Sequence, residues 1–326
     1  MSRRILNRWA IVLLIISISF IGCIRDDDTA LLTDPVGDNS GNGGNGDGSG
    51  GGSQAGSQGE ITLYRVSGND LEKIRDYQVT GQDLAYQNDV AKHQELWTLT
   101  KNVVPITHRD KMSEFMIYNG SVTGSAGYVF ETKNDLSEWQ MGLAINFADD
   151  QTELAYTTIH EFGHILTLNN TQVDASITSG SCSNYFTGEG CAKVNAYINK
   201  LQSLYWADIW AEYQQAKTSE SAHQAFYQKY QDRFVTNYAA TNPGEDIAEV
   251  FAVFVTRDDK PAGNTIAEKK ILLMYDHTEL VELRDYIRNN LSLRGRRGRS
   301  ILPTPGSWKK ANTLGDSHKS HCGLKH

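Results

Sequence analysis

Five residues, His160-Glu161-Phe162-Gly163-His164, constrain this chain more than any other stretch. Two imidazoles four residues apart can meet only on a helix, where one turn stacks them on the same face; in a strand they would stand about 13 Å apart. With His160 at 0° and about 100° per residue, His164 falls near about 40° and Glu161 near about 100°. Ala155, Ile159, Phe162 and Leu166 gather between about 200° and 260°, so one face carries chemistry and the other packs, as on a helix lining a cleft. With 9 His and 16 Glu in 326 residues, about 0.01 matches to this pattern are expected by chance. Imidazole nitrogens are good ligands for Zn²⁺, and the intervening Glu lies beside the metal's open position. The bland alternative is a polar helix stripe without a metal.

The third ligand decides the kind of site. A structural zinc closes its shell with four protein ligands, whereas a catalytic one keeps a position for water. One extended pattern, HExxHxxGxxH, fails here, because Thr167 stands in the place of Gly and Asn170 in the place of His. A later segment, Asn242-Pro243-Gly244-Glu245-Asp246-Ile247-Ala248-Glu249, offers a carboxylate instead. On a helix with Glu245 at 0°, Glu249 lies near about 40°, Ala248 and Ala252 near about 300–340°, and Ile247, Val250, Phe251 and Phe254 on the far side. Small alanines beside the acids would let a second helix come close around a shared ion. Glu245 could also be the third residue of a capping box begun by Asn242 and Pro243. Asp246 and Asp174 are the alternative ligands.

These motifs, with Tyr238 seven residues before Glu245, resemble the gluzincin group of zinc metallopeptidases. The spacing of Tyr238, Glu245 and Glu249 is similar to that in the catalytic domain of anthrax lethal factor and in zinc-binding lipoprotein peptidases of Bacteroidetes. The resemblance covers roughly residues 139–255, and the helical, cysteine-bearing stretch between the motifs is not part of it. It implies a zincin-like fold, one catalytic Zn²⁺ held by His160, His164 and Glu245, and Glu161 as general base. It further implies that Tyr238 donates a hydrogen bond to the developing oxyanion, although a tyrosine there could simply pack. Glu249 reads as the acceptor that fixes a ligand histidine through its far N–H. The expected activity is that of a zinc metalloendopeptidase-like hydrolase acting on a peptide or protein substrate. Competing readings are a non-catalytic, metal-containing surface binding lipoprotein and a zinc hydrolase of another amide or ester.

Organisation follows from composition shifts. Residues 1–22 combine Arg3, Arg4 and Arg8 with an apolar run from Trp9 to Gly22 too short to span a bilayer, which reads as an export signal. Cys23 directly after Gly22 resembles the lipidation site of bacterial lipoproteins, and Asp26-Asp27-Asp28 looks like a surface-export tether. The expected location is extracytoplasmic, anchored by lipid to the outer membrane and facing the cell surface. Residues 23–59 form a Gly/Ser/Asn-rich linker that cannot bury enough apolar area to fold. The globular part is 60–292, and 293–326 is a basic tail without periodicity. Of 31 Lys and Arg, three precede residue 24 and eight lie in the tail, so 24–292 holds 20 against 38 acids, about −18. That balance argues against nucleic acid as a partner. Cys182 and Cys191 suit a small disulfide loop in an oxidising compartment. Oligomeric state has no signature.

Within 60–292, strands are expected at 61–66, 115–118, 127–130 and 141–147. Helices are expected at 82–99, 151–168, 191–216, 221–237, 245–256 and 265–290. A small sheet ahead of a helical majority makes the fold class α+β. His93, His108, His223 and His277 have no partner at ligand spacing and read as ordinary core or surface histidines.

Overall fold

The computed structural model describes residues 58–293. The segments expected to be an export signal with Cys23, almost all of the expected linker, the expected tail beyond Leu293 and Cys322 lie outside the described residues. The chain runs β1 (Glu60–Ser67), β2 (Asp70–Asp76), α1 (Gly81–Asn88), α2 (Val90–Val103), β3 (Met112–Tyr118), β4 (Gly127–Glu131) and β5 (Trp139–Ala144). It continues through α3 (Gln151–Leu168), β6 (Val173–Asp174), β7 (Cys191–Ala192), α4 (Tyr197–Tyr205), α5 (Trp210–Ala216) and α6 (Glu220–Tyr230). Last come α7 (Pro243–Thr256), α8 (Ile266–Tyr275) and α9 (Thr278–Asn290). The class is α+β, with a small mixed sheet and a helical majority.

The sheet order is β2-β1-β3-β5-β4. All its pairs are antiparallel except β3 with β5. Strand β2 was not expected, because its Asp-Leu-Glu-Lys-Ile-Arg-Asp sequence is mostly charged and exposed. An edge strand can be so, since charges there deter pairing with other chains. At the other edge, β4 lies against α3. A Cβ on Gly127 would sit 2.6 Å from Thr157 Cγ2 and 3.2 Å from Glu161 Cγ, so a glycine is what lets this strand approach the motif helix.

Several expected helices are shorter than periodicity suggested. The 82–99 segment breaks at Asp89, whose side chain accepts from the backbone N–H of Lys92 at 3.0 Å and starts α2. An aspartate that caps a new helix competes with continuing the old one. The 141–147 strand ends at Ala144 in a 3₁₀ turn. The 191–216 segment begins as β7, paired with β6, before α4 and α5 form. The 221–237 segment is helical only to Tyr230 before short 3₁₀ turns, and 265–290 divides at Asp276–His277 into α8 and α9. Cys182 and Cys191 are joined by a disulfide, Cα atoms 5.4 Å apart, closing the loop ahead of β7.

Two helices occupy the centre. Every residue of α3 from Glu153 onward and every residue of α7 is buried, so the chemical face of α3 is buried as well as its packing face. The helices meet at small residues: a Cβ on Gly163 would lie 3.1 Å from Ala248 Cα and 3.3 Å from the Phe251 ring. The far end of α7 is closed by two arginines of α9. Arg284 donates to Phe254 O (2.7 Å) and Arg257 O (2.6 Å), and Arg288 to Val255 O (2.8 Å) and Arg257 O (3.0 Å). Cations at a helix C-terminus satisfy its orphan carbonyls and complement its dipole.

Beyond α3, the helical insert packs on its own aromatic cluster. Trp206 sits 5.0 Å from Tyr213 and 5.2 Å from Phe234, ring centre to ring centre. Its indole N–H donates to Asp246 Oδ2 at 2.6 Å, and the wholly buried Lys270 ammonium holds the same oxygen at 2.5 Å. The pair ties α7 to α8 and to the insert. Removing one partner of a buried pair leaves an uncompensated charge. Lys270→Met should therefore lower stability by about 3–5 kcal/mol, read from urea denaturation; an unchanged midpoint would show the pair to be dispensable.

Candidate metal centre

The first two candidate ligands come from one turn of α3, a helix whose start is fixed by Asp150 accepting from the backbone N–H of Glu153 at 3.1 Å. The third comes from the first turn of α7. There Asn242 caps the helix by accepting from Gly244 N (2.7 Å) and Glu245 N (3.0 Å), and Pro243 occupies the first position. The cap thus belongs to Asn242, and the Glu245 carboxylate faces the imidazoles. His160 Nε2 and His164 Nε2 are 3.1 Å apart, and Glu245 Oε2 lies 3.2 Å from the first and 3.3 Å from the second. All three residues are buried, and they form the one such potential metal-holding group of His, Cys, Asp and Glu among the described residues.

These distances suit a tetrahedral ion. Nitrogen and oxygen ligands about 2.0–2.2 Å from a zinc stand about 3.3–3.6 Å from one another, and the three edges here are 3.1–3.3 Å. The donor set is also right: two imidazoles and one carboxylate leave a fourth position, as catalytic sites do. Of the alternative ligands, Asp246 turns away to Lys270 and Trp206. Asp174 accepts from Ser176 Oγ at 2.6 Å in a turn of its own.

Glu249 stands one turn along α7 and accepts from His160 Nδ1 at 2.7 Å. With Nδ1 donating to that carboxylate, Nε2 is the nitrogen of His160 that faces Glu245 and His164. Two further donors hold Glu249 in place: Thr236 Oγ1 at 2.7 Å and Tyr156 Oη at 3.3 Å, both on Oε2. Neither was singled out in the sequence, yet Tyr156 stands one turn before His160 on the same stripe and was open to the same reasoning. Thr236 carried no local signal. Its hydroxyl also accepts from Ala239 N at 3.0 Å, fixing the 3₁₀ turn Tyr238–Thr241. Glu249→Ala should weaken metal binding about 10–100-fold by freeing the His160 ring, measurable by competition with a chromogenic chelator; unaltered affinity would remove Glu249 from this role.

Tyr238 is brought to the same place, its ring 5.8 Å from that of His160. Burial, and then the carboxylates of Glu245, Glu161 and Glu249, hold its pKa well above that of a free tyrosine, so the hydroxyl stays protonated and can donate. Glu161 is 7% exposed, and its Oε2 has no hydrogen-bond partner among the described residues. Burial raises its pKa against the opposing pull of His160 and His164.

The ligands titrate as an ion pair. Desolvation works against a charged His160, but Glu245 and Glu249 outweigh it and hold its pKa well above the usual value. Burial would raise Glu245, yet the two imidazoles hold it well below the usual carboxylate range. A proton therefore occupies, in the metal-free chain, the electrostatic position that a divalent cation would take, and binding the cation would release it.

The other histidines among the described residues are elsewhere. His93 is fully buried between Tyr64 Oη (2.7 Å) and Tyr86 O (2.9 Å), and His223 bonds Ala240 O at 2.8 Å. His108 packs edge-on against Phe162 and His277 against Tyr197.

Comparison with protein-family models, curated proteins and solved structures finds no match to this chain. The assignment of the centre rests on its own geometry.

Proposed function

We propose that this chain is a zinc-dependent metallopeptidase of gluzincin type. The observation that carries the reading is the meeting of two Nε2 atoms and one carboxylate oxygen within 3.3 Å of one another, on two buried helices. Glu161 adjoins them on the same helix. Zinc suits the mixed imidazole and carboxylate donors, and when bound it supplies Lewis acidity, polarising a carbonyl and acidifying a water.

The remaining work falls to side chains. Glu161, its pKa raised by burial, accepts a proton from the attacking water and returns it to the leaving amine. Tyr238, kept protonated, donates to the oxygen that gains charge, a role in which one donor is worth about 10²–10³ in rate. Glu249 holds His160 in the tautomer that ligation needs. Lipid attachment at Cys23 would place this domain outside the cell. Among the described residues no helix is long and apolar enough to cross a membrane.

The test is metal analysis of the full chain together with cleavage of a mixed peptide library, before and after chelation and zinc repletion. One zinc per chain and chelator-sensitive cleavage are expected. Absence of zinc would sink the reading; zinc without cleavage would favour a metal-containing binding protein.

A further inference from the structure

A cavity of about 600 Å³ opens between the disulfide loop and the helices of the insert. Its floor is apolar, with Leu168, Ile198 and Tyr213 buried beneath the half-buried Trp210, and Tyr185 of the loop closes one side. The rings brace one another: Tyr185 meets Trp210 edge-on at 5.8 Å, Trp210 lies 5.2 Å from Tyr213, and Tyr213 rests on Trp206 of the aromatic core. The rings are thus packed on one another before anything binds, and side chains already held in place lose less entropy on binding. Charged groups at the cavity, Glu189, Glu220 and Lys217, are of mixed sign and favour no ionic ligand.

Both ligand-bearing helices run into this wall next to their ligands. Leu168 stands four residues past His164 on α3, about 6 Å along the helix axis. Gly244 immediately precedes Glu245 on α7.

We propose that the cavity is a binding site for a large apolar side chain, aromatic or branched aliphatic, of a peptide substrate. It takes the metallopeptidase reading as its premise and adds a preference that the insert, not the metal-bearing helices, dictates. The disulfide that closes the loop holds Tyr185 in the wall and so belongs to the same device.

The experiment needs no turnover. The full chain carrying Glu161→Gln, loaded with zinc, is equilibrated with a pool of short blocked peptides of random sequence, and captured peptides are sequenced by mass spectrometry. Enrichment of Phe, Tyr, Trp or Leu at one position is expected. Trp210→Ala should then weaken the best captured peptide about tenfold or more, as loss of a buried tryptophan contact does, with zinc content unchanged. Gln214→Trp, which fills the cavity from a partly exposed helix position, guards against misfolding of the first variant and should have the same effect. No capture, capture without side-chain preference, or affinity indifferent to both substitutions overturns the proposal. Zinc content and cleavage by the wild type judge its premise separately: a peptidase that ignores the cavity loses only the proposal, and capture in the cavity without cleavage loses only the peptidase.

Discussion

Glu161→Gln is expected to lower kcat for peptide cleavage by about 10²–10⁴, the range for loss of a positioned general base, while bound zinc stays at one per chain. The substitution keeps the shape of a residue that is 7% exposed and removes only its ability to take a proton. Because Glu161 Oε2 has no partner among the described residues, no hydrogen bond there is broken and folding should be unaffected. The informative quantity is the split between kinetic constants, since a lost proton acceptor appears in kcat and leaves KM nearly alone. A variant that cleaves at the wild-type rate would remove Glu161 from the chemistry and with it the catalytic reading of the motif.

Glu245→Ala should be more drastic for the metal. A carboxylate 3.2 and 3.3 Å from two imidazole nitrogens is the third corner of the centre, and its loss leaves two neutral ligands. The fall in zinc affinity should exceed the about 10–100-fold that follows from disturbing a partner outside the ligand set. Titration calorimetry of the chelated protein reads it directly. The helix itself should survive, because Asn242 and not Glu245 caps α7. Retained affinity would mean that another residue completes the centre.

Much of the centre was legible in the sequence because it sits on regular helices. The 100° step alone put His160 and His164 on one stripe and Glu245 and Glu249 on another, and the alanine beside the second pair anticipated the close approach at Gly163 and Ala248. The class of fold was legible too, from short strands followed by helical periods. Periodicity undersold the burial of α3 and α7, since a helix enclosed on every side has no solvent face for the pattern to mark. It missed β2, whose charges reflect an edge, and it ran helices through Asp89 and across Cys191, where a cap and a strand pair take over. Least legible were contacts spanning the chain. Tyr156 reaches Glu249 across 93 positions, and Lys270 reaches Asp246 across 24 from a different helix. Such pairs leave no local trace, because tertiary packing and not neighbouring sequence selects them.

The distance along the chain between the two halves of the centre has a kinetic consequence. Glu245 follows His164 by 81 positions, and bringing the ends of a flexible segment of that length together costs about 4 kcal/mol of chain entropy. A closure that costly is expected late on the folding route, after more local contacts have formed. An ion gripping both helices would then act as a clasp fastened after the barrier: refolding rates in urea should be alike with and without chelator, whereas unfolding should be markedly slower with the metal held. Equal unfolding rates would place α7 docking before the barrier, or leave the clasp unfastened.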